Sequence, residues 1–166
     1  RDRITTYKNA SKREFVKSPL NYTGGKHKLM PQINQHIPKD IETFYDIFCG
    51  GANVGVNAHS KRVVCVDKND NVVLLLSLMK STNFEELHQE IQEVVNEHGL
   101  SQSYVKGYDA YGAESSKGLG AFNKERYLSL RAAYNKTKTS RKKTLLLLVL
   151  VMYSFNNQIR FNSKGE

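Results

Sequence analysis

Proline is scarce in this sequence and confined to one end. Pro19, Pro31 and Pro38 are the only three, no two are adjacent, and the 128 residues after Pro38 have none. Cysteine is scarcer still. Cys49 and Cys65 sit in apolar, strand-like segments without Cys-x-x-Cys or Cys/His spacing, which argues against a disulfide framework or a zinc site and fits a reducing cytosol. Long apolar runs are missing too: the longest, residues 145–153, falls well short of the roughly 20 residues that a membrane-spanning helix needs. No signal-peptide pattern opens the chain, so a cytoplasmic protein is expected, with no membrane partner. The first residue is Arg rather than Met and residues 162–166 read as a turn, so a processed, trimmed or partial chain is expected.

What is present is a chain of 166 residues, enough for one domain, or one with a small insertion, and a sizeable core. At 39% hydrophobic and 10% aromatic it is too apolar for a disordered tail. Its formal charge of +9 favours an anionic partner. The charge is unevenly spread. Residues 1–39 carry a net +7, residues 40–116 a net −7 and residues 117–143 a net +8. In that last segment Arg141, Lys142 and Lys143 close a run in which basic side chains alternate with Tyr127, Tyr134, Asn, Thr and Ser. This mixture suits phosphate contact, although a solvated Lys-rich surface has the same composition.

Leu29, Ile33 and Ile37 recur at a spacing of four, a helical stripe over 26–37 that stops at Pro38 and accepts Pro31 only if the helix starts late enough to put it in the first turn. Residues 43–48 and 62–67 read as strands, the second with the continuous apolar centre of a buried parallel sheet. Residues 53–59 can start a helix. Asn69 or Asp70 can cap a helix running to Met79. An acidic amphipathic helix with Phe84, Leu87, Ile91 and Val94 or Val95 on one face follows and ends at Gly99. After a Gly- and Ser-rich loop at 107–120, helices are predicted at 121–135 and 140–153, the second apolar all round and therefore buried. The layout is α/β, with a helical insertion or second subdomain.

Two constellations carry chemistry. A strand ending at Phe48 runs into Gly50-Gly51, and the next strand ends at Asp67. In doubly wound folds such glycines admit a ligand beside the backbone, and such an acid accepts hydrogen bonds from ribose hydroxyls. The glycines at 50, 51 and 55 do not form G-x-G-x-x-G, which disfavours a dinucleotide. Alone, Gly-Gly more commonly marks a tight turn, and Asp67 equally reads as a helix-capping acid. Upstream, Tyr22-Thr23-Gly24-Gly25-Lys26 offers a ring, a flexible backbone and an ammonium group before the first predicted helix, a combination suited to an anion.

Taken in order, Tyr22-Thr23-Gly24-Gly25-Lys26, then Phe44-Tyr45-Asp46-Ile47-Phe48-Cys49-Gly50-Gly51-Ala52, then Val64-Cys65-Val66-Asp67, resemble the amino-terminal half of Dam-like adenine-specific DNA methyltransferases. Residues 155–165, with Phe155, Asn156, Arg160 and Asn162, are similar to that family's recognition loop. The resemblance implies a Rossmann-like S-adenosylmethionine-dependent methyltransferase sheet, present in part, with a helical target-recognition subdomain. It implies S-adenosylmethionine as cofactor, S-adenosylhomocysteine as product, and transfer of a methyl group to the exocyclic amine of a flipped adenine in double-stranded DNA. No metal is implied, and a cognate restriction endonuclease and nucleoid association are. Tyr22, Gly24, Gly25 and Lys26 would border the cofactor, Asp46, Phe48, Gly50 and Gly51 would form its central loop, and Asp67 would hold its ribose. Phe155 would wedge into the base stack and Arg160 would read a base edge.

By this reading residues 1–17 are a basic extension, 18–82 the cofactor-binding α/β part and 83–166 the helical DNA-binding region. Ile47 and Ala52 stand where the family usually has proline and a third glycine. The catalytic Asp/Asn-Pro-Pro-Tyr/Phe motif is absent from the sequence, so no catalytic residue is assigned and the 166 residues are expected to be inactive alone. The alternatives are a non-catalytic nucleic-acid or nucleotide-binding module derived from such an enzyme and, less favoured, a methyltransferase acting on RNA or protein.

Overall fold

The structure, a computed structural model, describes residues 15–113 and 118–158. Arg160, Asn162, the turn at 162–166, residues 1–14 of the basic extension and residues 114–117 of the Gly/Ser loop lie outside the described residues. The chain divides after Lys68 into two compact units.

In the first unit a 3-10 turn, His27–Leu29, leads into the short helix α1 (Met30–His36). Pro31 occupies the first turn, where its missing N–H matters least. Lys26 therefore heads the 3-10 turn rather than the helix, and Leu29 is exposed while Met30 takes the buried position. Strands β1 (Ile41–Asp46) and β2 (Ser60–Cys65) pair in parallel, with Ile41 opposite Ser60 and Asp46 opposite Cys65. Both end two residues earlier than predicted. Backbone bonds nevertheless run on, from Val66 N–H to the Asp46 carbonyl (2.8 Å) and from Cys49 N–H to the Val66 carbonyl (3.0 Å).

The buried sheet centre predicted from sequence is not found: neither strand contains a buried residue, and Tyr45, Ile47 and Val66 are exposed. Residues 53–59 form only a 3-10 turn, Gly55–Asn57, because Ala52 takes a left-handed φ of 60° before it and Ala58 is extended after it.

The second unit is helical. Helix α2 (Asp70–Ser81) is capped by Asn69, whose side chain accepts from Asn71 N–H. Helix α3 (Phe84–Glu97) is capped by Asn83 and carries Glu85 and Glu86 in its first turn, where they complement the helix dipole. Gly99, at φ +64°, ends it as predicted. Short helix α4 (Ser103–Lys106) precedes α5 (Gly120–Lys136) and α6 (Arg141–Tyr153), the last capped by Ser140.

Helix α6 is the centre of this unit. Thr144 through Val151 are all buried, and α2, α3 and α5 pack against it. Fully burying each Leu or Val there contributes about 1.5–3 kcal/mol before entropy is counted. Helix α2, which the sequence reading put with the α/β part, buries Val72, Leu75 and Leu78 and packs on α6, so it falls within the helical unit. Phe84 does not join the buried face of α3; it is exposed and stacks on His88. Ser101 braces the unit: its N–H donates to Asn123 Oδ1 (2.9 Å), its Oγ accepts from Asn123 Nδ2 (2.8 Å) and its carbonyl accepts from Tyr153 OH (2.5 Å).

Candidate functional site

The loop between β1 and β2 is pinned by carboxylates at the ends of the two strands. Asp67 Oδ2 accepts from Gly50 N–H and Asp46 Oδ2 accepts from Gly55 N–H, both at 2.9 Å. Parallel pairing puts these acids side by side, because each lies at or just beyond the carboxyl end of its strand. Ala52 N–H closes the intervening turn on the Cys49 carbonyl, with Gly50 at φ +47°. The glycines therefore do make a tight turn. Capping of the following helix falls to Asn69, not to Asp67.

Above this loop lies a cavity of about 610 Å³, within the range of small-molecule sites. Tyr22, Gly24, Gly25, Lys26, Asp46, Phe48, Gly50, Gly51 and Asp67, the nine residues the sequence reading assigned to a cofactor, all line it. Phe48 is 87% exposed, so its ring is a wall open to solvent. Lys26 Nζ donates to the Gly24 carbonyl at 2.5 Å. Thr23, Ile33, Cys49, Asn53, Val54 and Lys68 complete the lining and were not singled out from sequence. Asn53 stands four residues before Asn57, its partner in holding the segment before Tyr22.

Burial raises the Asp46 carboxyl above its ordinary 3.8, the Gly55 N–H draws it down, and the Asp67 charge raises it further. The Cys49 thiol is pushed up to about 11, first by burial and then by Cys65, Asp46 and Asp67. At neutral pH it is a protonated thiol and so a poor nucleophile. The cavity thus offers carboxylates, an ammonium group, rings and backbone, a set suited to holding a polar, cationic ligand.

Among the described residues, those assigned to DNA lie at the two ends of α6 rather than in one place. Arg141 is engaged within the protein: it pairs with Glu90, bonds Thr82 Oγ1 at 3.1 Å and lies 3.9 Å from Glu86. Lys143 stands over the Tyr134 ring at 4.7 Å, and Lys142 is exposed. Phe155, 79% exposed, sits at the other end of α6. Thirteen helical residues put it about 20 Å from Arg141. It begins a turn in which Asn156 and Asn157 both have left-handed φ, held by Ser154 Oγ on the Val151 and Gln158 carbonyls. Arg160 and Asn162 lie outside the described residues.

The helical unit has its own cavity, about 580 Å³, bordered by Tyr104, Tyr127 and Tyr153. Size does not separate the two cavities, but charge does: Asp46 and Asp67 line the first, whereas the described residues lining the second include no carboxylate. Among the described residues no group of three or more His, Cys, Asp or Glu side chains is placed to hold a metal ion, and no helix is long and apolar enough to cross a membrane.

Residues 22–166 match the profile of a family described as D12 class N6 adenine-specific DNA methyltransferase. Among individual proteins, the chain is 41% identical over 152 residues to the Type II methyltransferase M.FokI of Planomicrobium okeanokoites, covering 92% of this chain and 20% of that protein. It is 36% identical over 157 residues to the modification methylase StsI of Streptococcus sanguinis, covering 95% and 20%. To the DNA adenine methylase of Escherichia coli (strain K12) it is 24% identical over 147 residues, covering 89% and 44%. The chain therefore spans about a fifth of the length of the first two relatives and less than half of the third.

Proposed function

Since this chain belongs to the D12 class of N6 adenine-specific DNA methyltransferases, we propose that it is the cofactor-binding and target-recognition portion of an enzyme that methylates adenine in duplex DNA. The observation that carries this reading is the gathering of nine sequence-assigned residues around one cavity beyond the carboxyl ends of two parallel strands. That is where α/β sheets bind nucleotide ligands.

S-adenosylmethionine fits the residues present. Its sulfonium and amino groups are cationic, its ribose is a hydrogen-bond donor and its adenine is a flat ring. Asp46 and Asp67 supply negative charge, Tyr22 and Phe48 supply ring surface, and Gly50 and Gly51 keep the loop wall thin. When bound, the cofactor supplies an activated methyl group. This chain's share of the work is to bind and orient it, with Asp67 accepting from the ribose and the protonated Cys49 staying out of the chemistry.

In the helical region, residues 83–166, Lys142 and Lys143 contact phosphate, Phe155 and Asn156 meet the base stack, and Arg160 and Asn162 read base edges. Arg141 is given up as a DNA contact because Glu90, Glu86 and Thr82 already occupy it. The sheet is the partial form of a Rossmann-like methyltransferase core, the protein acts in the cytoplasm at the nucleoid, and a restriction endonuclease is its counterpart.

Titration calorimetry with S-adenosylhomocysteine tests the cofactor assignment. Binding is expected for the unaltered chain and at least tenfold weaker binding for Asp67→Ala. Equal heats from both, or none from either, would overturn it. Methyl transfer to duplex DNA by the 166 residues alone would contradict the division of labour proposed for them.

A further inference from the structure

The segment that leads to Tyr22 is held in place by its backbone. Val16 N–H donates to Asn57 Oδ1 and the Val16 carbonyl accepts from Asn57 Nδ2, both at 2.8 Å, so one amide side chain grips both polar groups of one residue. Asn57 Nδ2 also reaches the Asn53 carbonyl at 2.8 Å. Ser18 N–H donates to Asn53 Oδ1 (3.0 Å), Leu20 N–H to Ser18 Oγ (3.1 Å), and His27 Nε2 lies 3.0 Å from the Phe15 carbonyl. Asn53 and Asn57 are buried, and both belong to the loop that floors the cavity. Buried amides satisfied in this way hold a segment in one register, because leaving them unpaired is expensive.

The glycines of the loop face the same segment. A Cβ on Gly50 would stand 2.8 Å from Tyr22 Cδ1, and one on Gly51 would stand 3.0 Å from Ser18 Oγ and 3.1 Å from the Leu20 carbonyl. The strap, residues 15–22, therefore lies directly on the loop, and Tyr22 at its end forms a wall of the cavity.

We infer that Asn57 and Asn53 are positioning residues: they latch the strap so that Tyr22 closes the cavity, and latching and ligand occupancy reinforce each other. This rests on the cofactor reading above. A ligand that touches Tyr22 only in the latched state favours that state, and by linkage the latched state binds it more tightly.

Asn57→Ala would strip several hydrogen bonds from a buried position and threaten folding itself, so the discriminating change belongs in the strap. Val16 is 61% exposed, and Val16→Pro removes the N–H given to Asn57 while keeping the carbonyl that accepts from it; it also fixes φ there and restricts Phe15, with Val16→Ala as the control that keeps both backbone groups. S-adenosylhomocysteine is the probe, followed by calorimetry and by hydrogen exchange at the Ser18 amide. Expected are about tenfold weaker binding by Val16→Pro than by Val16→Ala, and slower Ser18 exchange in the unaltered chain when the probe is saturating.

A purely structural brace would lower the melting temperature of Val16→Pro while leaving its affinity within twofold of the control, and that result overturns the inference. Unchanged Ser18 exchange on saturation overturns it as well. If Asp67→Ala loses binding while Val16→Pro keeps it, the latch alone fails. If the unaltered chain binds no probe, the cofactor reading fails and takes the latch with it.

Discussion

The two units of this chain are stabilised in opposite ways. The helical unit is organised around α6, where eight consecutive residues are buried and three helices pack against them. The α/β unit has a two-stranded parallel sheet with no buried residue in either strand. Beside a few buried apolar residues, Leu20, Met30 and Ala52, its order comes from polar side chains gripping backbone: Asp46 on Gly55, Asp67 on Gly50, Asn53 on Ser18 and Asn57 on Val16. Apolar packing tolerates exchange among shapes of equal volume, whereas a hydrogen-bonded loop fixes atoms to a few tenths of an ångström. The second kind of order suits a cavity that must hold a small polar ligand.

Three changes probe this contrast. The largest effect is expected for Leu146→Ala in α6, about 2–5 kcal/mol by denaturant unfolding, while the exposed Val66→Ala beside β2 stays within about 0.5 kcal/mol. Equal losses would mean that Val66 is packed beside β2 rather than exposed. Next comes Gly55→Ala, whose Cβ would fall 2.6 Å from Cys65 Sγ and 3.2 Å from Asp46 Oδ2. It should destabilise by about 1–3 kcal/mol, and adding Cys65→Ala should recover most of that in a double-mutant cycle. Failure to recover would put the strain in the backbone rather than at the sulfur.

The smallest effect has the opposite sign. The Asp46 carboxyl, raised above 3.8 chiefly by burial, holds its proton more tightly folded than unfolded. Its contribution favours folding below 3.8 and is lost as pH rises through the folded value. Asp46→Asn keeps an oxygen to accept from Gly55 N–H, so it should melt higher than the parent at neutral pH. The gap should close in acid. A lower melting temperature at pH 7 would show that the charge itself holds the loop.

Local chemistry made the helices legible in the sequence. Asn69 caps α2, Gly99 ends α3, and the apolar stretch is buried within α6 from Leu145 to Val151, with Met152 exposed. The lining of the cavity was readable for a different reason: glycine pairs and strand-end acids have bland uses of their own, and only the order of three motifs resembling the family singled these residues out. The strands were placed less well: Phe44 to Phe48 continue an apolar pattern after the chain has left the sheet at Asp46. Two features depended on contacts that no local pattern encodes. Asn57 meets Val16 across 41 residues, and Arg141 meets Glu90 across 51. The second makes a residue that composition marked for DNA also a tie between α3 and α6.

The grip of Asn57 on Val16 engages N–H and carbonyl groups that every residue except proline possesses. Position 16 is thereby freed from any demand on its side chain, while position 57 needs a group that donates and accepts at once. Across variants of this protein, position 16 should drift in sequence without the strap losing its seat, and the constraint should be found at Asn57 in the loop beneath it.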